Sequence, residues 1–82
     1  MVQVDNGDGK TRETAIKIMS AEDRHEGWEY ISEYLKQRWP ATWDKEFSTI
    51  TAEDGFEYQF VLYKSHGKKI WFNWTWLYYF IR

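Results

Sequence analysis

The pattern of apolar and polar positions is most regular at the end of the chain. There, Ile70 to Arg82 reads IWFNWTWLYYFIR, with seven aromatic residues. Taken by alternation, Ile70, Phe72, Trp74, Trp76, Tyr78 and Phe80 form an unbroken apolar face. Trp71, Asn73, Thr75, Leu77, Tyr79 and Ile81 form a mixed one. Period-two alternation in aromatic and β-branched residues predicts a strand with one buried face. Thr14 to Met19 is a shorter strand pattern, with Ile16 and Ile18 on one side and Lys17 on the other. Trp28, Ile31 and Leu35 recur at helical spacing, with Ala21 and Arg24 earlier on the stripe and Tyr34 at its flank. This predicts a helix over 21–38. Ser20 is its expected N-cap, and Pro40 its stop, since Trp39 before it is pushed out of helical geometry. Glu22, Asp23 and Glu26 sit in the first turns, and Lys36 and Arg38 in the last, as the helix dipole favours. Gly27 costs about 1 kcal/mol relative to alanine inside a helix, so close approach of a large ring from the sheet is the expected reason for it.

Two hairpins are expected after the helix. Asp54-Gly55 is a two-residue turn signal that would set Thr51 opposite Tyr58, Thr49 opposite Phe60 and Phe47 opposite Leu62. At Ser65-His66-Gly67, a two-residue loop would place Phe60 opposite Asn73. A three-residue loop places Phe60 opposite Phe72, Tyr58 opposite Trp74 and Phe56 opposite Trp76, all apolar. A one-residue slip flips every side chain, so the three-residue loop is expected. Residues 77–82 then overhang, and the 15–19 strand is expected to pair there as an edge, with the last strand central. Residues 1–13, with Asn6-Gly7-Asp8-Gly9, read as a loop or frayed end. The predicted fold is α+β in the order β-α-β-β-β: a four-stranded antiparallel sheet with one helix on its aromatic face.

At 82 residues the chain is one domain near the lower size limit for a self-sufficient core, and its 21% aromatic content offsets the shortness. It has no cysteine, which excludes disulfides and thiolate chemistry and fits a cytoplasmic location. The first residues lack the basic start and apolar run of a signal peptide. The apolar C-terminal tract is shorter than the ~20 residues a spanning helix needs, so no membrane partner is expected. A net charge of −2 argues against nucleic acid, which calls for a concentrated basic surface.

Gly7-Asp8-Gly9-Lys10-Thr11, followed by Glu13-Thr14-Ala15-Ile16-Lys17-Ile18, resembles small uncharacterised bacterial domains that open G-x-G-x-[ST]-x-E-x-A-I-x-I. Those continue with a tyrosine-bearing helix, a tryptophan and a terminal F-[DN]-x-[ST] strand. Tyr30 and Tyr34, then Trp43, then Phe72-Asn73-Trp74-Thr75 take these places here. Asn73 stands where an acid is usual, and the terminal segment is richer in tryptophan. The resemblance implies the β-α-β-β-β order and no activity.

Among chemistry-bearing groups, Glu22, His25, Glu26 and Glu29 lie within two helical turns, and an H-x-x-x-E pair can hold a divalent ion. Acids at the start of a solvated helix explain the same residues without any ion, and no metal or other cofactor is expected. Asp5, Asn6 and Asp8 faintly suggest a calcium loop but lack its closing glutamate. His25 and His66 have no nucleophile elbow or phosphate loop beside them, so no catalytic residue is assigned and the chain is expected not to be an enzyme. Asn73-Trp74-Thr75 spells a glycosylation sequon that mid-strand placement makes accidental. Lys64, Lys68 and Lys69 form either a charged edge that discourages sheet pairing or a small basic patch. The second sheet face draws together Trp71, Asn73, Gln59, Tyr63 and Tyr79, with Trp43 nearby. The expected function is a protein-interaction module using this face, a small inhibitor or immunity-type protein for example, with a protein partner or a homodimer. The alternative is a carbohydrate-binding module that stacks sugars on Trp71, Tyr79 and Trp43.

Overall fold

The computed structural model describes residues 1–5, 7–38 and 42–80. In chain order the elements are β1 (Gln3–Val4), β2 (Ile16–Ser20), α1 (Arg24–Arg38), β3 (Asp44–Thr51), β4 (Glu57–Ser65), β5 (Lys68–Asn73) and α2 (Thr75–Phe80). The α+β class holds. The sheet, however, has five strands in the order β1-β2-β5-β4-β3 and is mixed, because β2 runs parallel to β5, with Ile16 opposite Phe72 and Lys17 opposite Asn73. The expected partnership of these two strands is therefore present, but parallel and upstream of residues 77–82. Nor is β2 an edge. Gln3 and Val4, expected to be loose, pair with Ser20 and Ile18. The loop behind them is closed by its own hydrogen bonds. The Asp8 carboxylate accepts from the Lys10 N–H (2.9 Å) and the Thr14 hydroxyl (2.7 Å), and these bonds hold its pKa below the ordinary aspartate value. The Gly9 carbonyl accepts from the Trp71 N–H at 2.8 Å, which fastens this loop to β5.

Both hairpins form where the turn residues stand, but their loop lengths are exchanged relative to expectation. The first is a three-residue loop. Ala52 N–H donates to the Phe56 carbonyl (2.8 Å), Gly55 N–H donates to the Ala52 carbonyl (2.9 Å), and Gly55 takes a left-handed φ of 88°. Thr49 thus faces Gln59, Ser48 faces Phe60 and Phe47 faces Val61. The second is the two-residue loop, His66-Gly67, with φ of 49° and 79°, the paired positive values of a type I′ turn. It sets Val61 opposite Phe72, Leu62 opposite Trp71 and Phe60 opposite Asn73, which overturns the Phe60–Phe72 register. Residues 60–63 are buried on both faces of β4, so alternation there does not choose between the two registers.

The second correction is at the C-terminal tract. It leaves the sheet after Asn73 and becomes α2. Ile70 and Phe72 are buried as expected, but Trp74 and Trp76 are half-buried, and Tyr78 and Phe80 are exposed.

In α1 the cap is Asp23 rather than Ser20. Its carboxylate accepts from the Glu26 N–H (2.8 Å), while the Glu26 carboxylate reaches back to the Glu22 N–H (3.0 Å), a variant of the capping box. The expected stop at Trp39-Pro40 lies outside the described residues. The buried stripe is Gly27, Ile31 and Leu35, with Trp28 half-buried beside it and Arg24 exposed. Ile31 and Leu35 pack on Ile16, Ile18, Val61, Tyr63, Ile70 and Phe72, and Leu77 of α2 completes the core. Gly27 does mark a close approach, though to Leu77 and not to a ring from the sheet: a Cβ there would lie 2.5 Å from a Leu77 methyl. Among the described residues no helix is long and apolar enough to cross a membrane.

This contact fixes the sign of a substitution. Gly27→Ala gains about 1 kcal/mol of helix propensity but overpacks a fully buried site at a cost of ~1–3 kcal/mol. It should lower the denaturant midpoint. In a Leu77→Ala background the same change meets empty space and should raise it, a reversal that a double-mutant cycle by chemical denaturation reads directly.

Candidate functional site

The site is built at the junction between β5 and α2. Trp74 still belongs to the ladder, its N–H donating to the Gln59 carbonyl at 3.0 Å. At the next position the Thr75 hydroxyl accepts from the Gln59 N–H at 2.8 Å, where a continuing strand would offer a backbone carbonyl. The Asn73 Oδ1 accepts from both the Thr75 N–H and its hydroxyl. Tyr78 N–H then donates to the Trp74 carbonyl at 3.1 Å, which opens the helix. Asn73-x-Thr75 therefore acts as a helix start of the kind Asx residues favour. From the exposed face of α1, Arg24 donates to the carbonyls of Leu77 and Tyr78, each at 3.2 Å, and so ties down the last turn of α2.

The helix places aromatic rings four apart on a common side. Trp76 stacks on Phe80 with centroids 5.9 Å apart and planes at 28°. Opposite them, Phe56 meets Tyr58 edge-on at 4.8 Å and lies tilted against Tyr79 at 5.2 Å. Tyr79 is held by a hydrogen bond from its hydroxyl to the Glu57 carbonyl. Between the two groups lies a groove of about 250 Å³, lined by Lys17, Phe56, Tyr58, Thr75, Trp76 and Phe80. Its rings stay open to solvent: Phe80 is 70% exposed and Phe56 41%. A wider depression of about 390 Å³ lies along α1 between Met1, Val2, Tyr30 and three glutamates. It has one aromatic residue, and Glu26 there is already engaged in capping.

The residues expected to share one binding face do not share it. Tyr63 and Gln59 lie buried on the helix side. Burial pushes the Tyr63 phenol above the ordinary tyrosine pKa, and the Gln59 side chain accepts from the Thr49 hydroxyl at 3.0 Å. Trp71 stands opposite Leu62 and is half-buried, Asn73 is consumed in the helix start, and Trp43 is half-buried at the rim of the core. Of the six, Tyr79 touches the ring cluster, through Phe56. Phe56, Tyr58, Trp76 and Phe80 were expected on the core face, and Lys17 was expected to be a plain outward residue. The i,i+4 spacing of Trp76 with Phe80 and Trp74 with Tyr78, behind an Asn-x-Thr start, was the signal for them.

The other chemical candidates lie elsewhere on the molecule. His25 Nε2 lies 3.1 Å from Glu29, both open to solvent. Among the described residues no three His, Cys, Asp or Glu groups gather as metal ligands. Asp8 is spent on its turn, and Asn6 lies outside the described residues. Lys64 pairs with Glu46 at 3.3 Å, which neutralises part of the lysine patch.

Two outcomes follow from the junction and its surroundings. Thr75→Val strands the buried Gln59 N–H and should cost about 1–3 kcal/mol, whereas Thr75→Ser keeps the hydroxyl and should stay within roughly 1 kcal/mol of the parent by thermal melting. The folded-state pKa of Tyr63 is raised above the unfolded one. Its share of stability is thus complete below about pH 10 and is lost as pH rises through the folded value. A Tyr63→Phe variant should show a shallower alkaline decline in melting temperature than the parent.

No protein-family model matches this chain, and no curated protein or solved structure matches it either.

Proposed function

We propose that this chain is a non-enzymatic protein-binding module, and that the groove beside α2 receives an apolar side chain of its partner. One observation carries the reading: Phe56, Tyr58, Trp76 and Phe80 converge on a single groove, and three of these rings are more than a third exposed. A small domain gains nothing in stability from rings left in water, and contiguous exposed aromatic surface marks contact sites. Aromatic anchors of this kind dominate interface energetics. Lys17 at the rim supplies a cation for a backbone carbonyl or an acidic neighbour of the anchor. What supports binding over catalysis is the lining itself, whose polar groups are the Lys17 ammonium, the Thr75 hydroxyl and the Tyr58 phenol, with neither a histidine nor a carboxylate among them. A sugar platform fits less well, because Phe56 and Tyr58 meet at 69° and few polar groups flank the rings.

Selection of linear peptides displayed on phage, followed by calorimetric titration, tests the proposal. Binders should share a Leu, Ile, Met or aromatic anchor. Phe80→Ala should weaken them by about 30-fold, a loss of ~2 kcal/mol, with the melting temperature unchanged. Binders indifferent to both Phe80→Ala and Phe56→Ala would overturn the reading. Oligosaccharide binding that depends on these rings would replace it with the sugar platform.

A further inference from the structure

We propose that the free edge of β3 is a self-pairing strand, on which a second copy of this chain docks antiparallel about a two-fold axis through Ser48. The sheet ends on β3, an eight-residue strand, whereas β1 at the other edge has two residues. The Ala52 N–H to Phe56 carbonyl bond sets the alternation along β3. Asp44, Glu46, Ser48 and Ile50 turn their backbone groups toward β4, and Lys45, Phe47, Thr49 and Thr51 turn theirs outward. Natural edges are usually blunted by charge or proline. Here charge is confined to Asp44, Lys45 and Glu46, and the remainder, Phe47-Ser48-Thr49-Ile50-Thr51, is uncharged and rich in β-formers. Phe47 is 51% exposed.

Two independent features select a copy of the same strand as the occupant. The first is charge. Pairing centred on Ser48 sets Phe47 against Thr49, Lys45 against Thr51, Glu46 against Ile50 and Asp44 against Ala52. It engages all four outward residues on each copy and opposes no like charges. Centring on Glu46 opposes that residue to itself, centring on Phe47 leaves Thr51 outside the strand pair, and centring on Thr49 sets Asp44 against Asp54. The second is Ser48 itself. Its Oγ is buried and has no hydrogen-bond partner among the described residues. An unmade bond at a buried hydroxyl costs free energy. In the Ser48-centred register the two Ser48 residues form a non-hydrogen-bonded pair on the axis, with Cα atoms about 4.5 Å apart. Rotation about χ1 then lets one hydroxyl donate to the other across the strands.

The chain has no cysteine, so single-cysteine variants report contacts cleanly. A Ser48→Cys protein should form an interchain disulfide under mild oxidation, because the axial pair has the Cβ separation a disulfide requires. Glu33→Cys, on the exposed side of α1, should not. Sedimentation equilibrium of the parent should show a monomer–dimer equilibrium. Thr51→Pro, which removes one outward N–H and leaves the β4 ladder intact, should weaken it at least tenfold. Where Thr51→Pro fails to fold, the cysteine comparison decides alone. Cross-linking of Ser48→Cys no faster than Glu33→Cys overturns the proposal. So does a dimer insensitive to Thr51→Pro, or a monomer that instead takes an unrelated extended peptide along β3. Since β3 lends no residue to the aromatic groove, failure here leaves the binding reading standing, and failure of peptide selection leaves this one standing.

Discussion

One hydroxyl governs this structure. By accepting from the Gln59 N–H, Thr75 closes the β4–β5 ladder with a side chain and frees the backbone to turn. Every later placement depends on that substitution of side chain for carbonyl. Had the strand continued, Leu77 would have fallen with Trp71 and Asn73 on the sheet face away from α1. Turned into α2, it sits against Gly27 and closes the core. Trp76 and Phe80 come to one side of the helix by the same rotation. The bond is local and the effect global, because a helix and a strand distribute the same residues to different places.

The surplus of rings then divides into two populations. Phe72 is fully buried, with Tyr34 and Tyr63 edge-on to it at 5.5 and 5.9 Å, the geometry that ring quadrupoles favour. Trp28, Phe47 and Trp74 form a three-ring cluster at 5.1–6.0 Å that covers the gap between α1 and the sheet. The rings around α2 bury less, and this asymmetry separates a core that stabilises from a rim available for contact.

Much of the fold was legible in the residues. Ile16 and Ile18 gave β2, the Ile31–Leu35 stripe gave α1, and the glycines at 55 and 67 located both turns. What failed has physical causes. A residue-type signal places a turn better than it measures a loop, since Asp-Gly serves a two-residue turn and a left-handed bulge alike. Alternation would normally arbitrate, but β4 is apolar on both faces at residues 60–63 and gives no preference. In the terminal tract nearly every position is apolar, so period two and period 3.6 fit equally. The deciding residues were the polar ones, Asn73 and Thr75. The candidate site was illegible for the same reason: its rings were assigned to the face that a strand would have buried. Gln3 and Val4 are too few to carry a pattern at all.

The parallel contact between β2 and β5 has a bearing on how the chain assembles. Strands 44–73 are linked by tight turns and can zip from neighbour to neighbour. Ile16 must instead meet Phe72 across some two thirds of the chain, with α1 and both hairpins inside the loop being closed. Loop closure carries its entropic cost before the contact returns anything, and distant pairings slow folding across small domains. The middle of the finished sheet is therefore its latest seam. Until β2 arrives, β5 presents an open apolar edge, and the three strands 44–73 are the form of this molecule most exposed to misassociation.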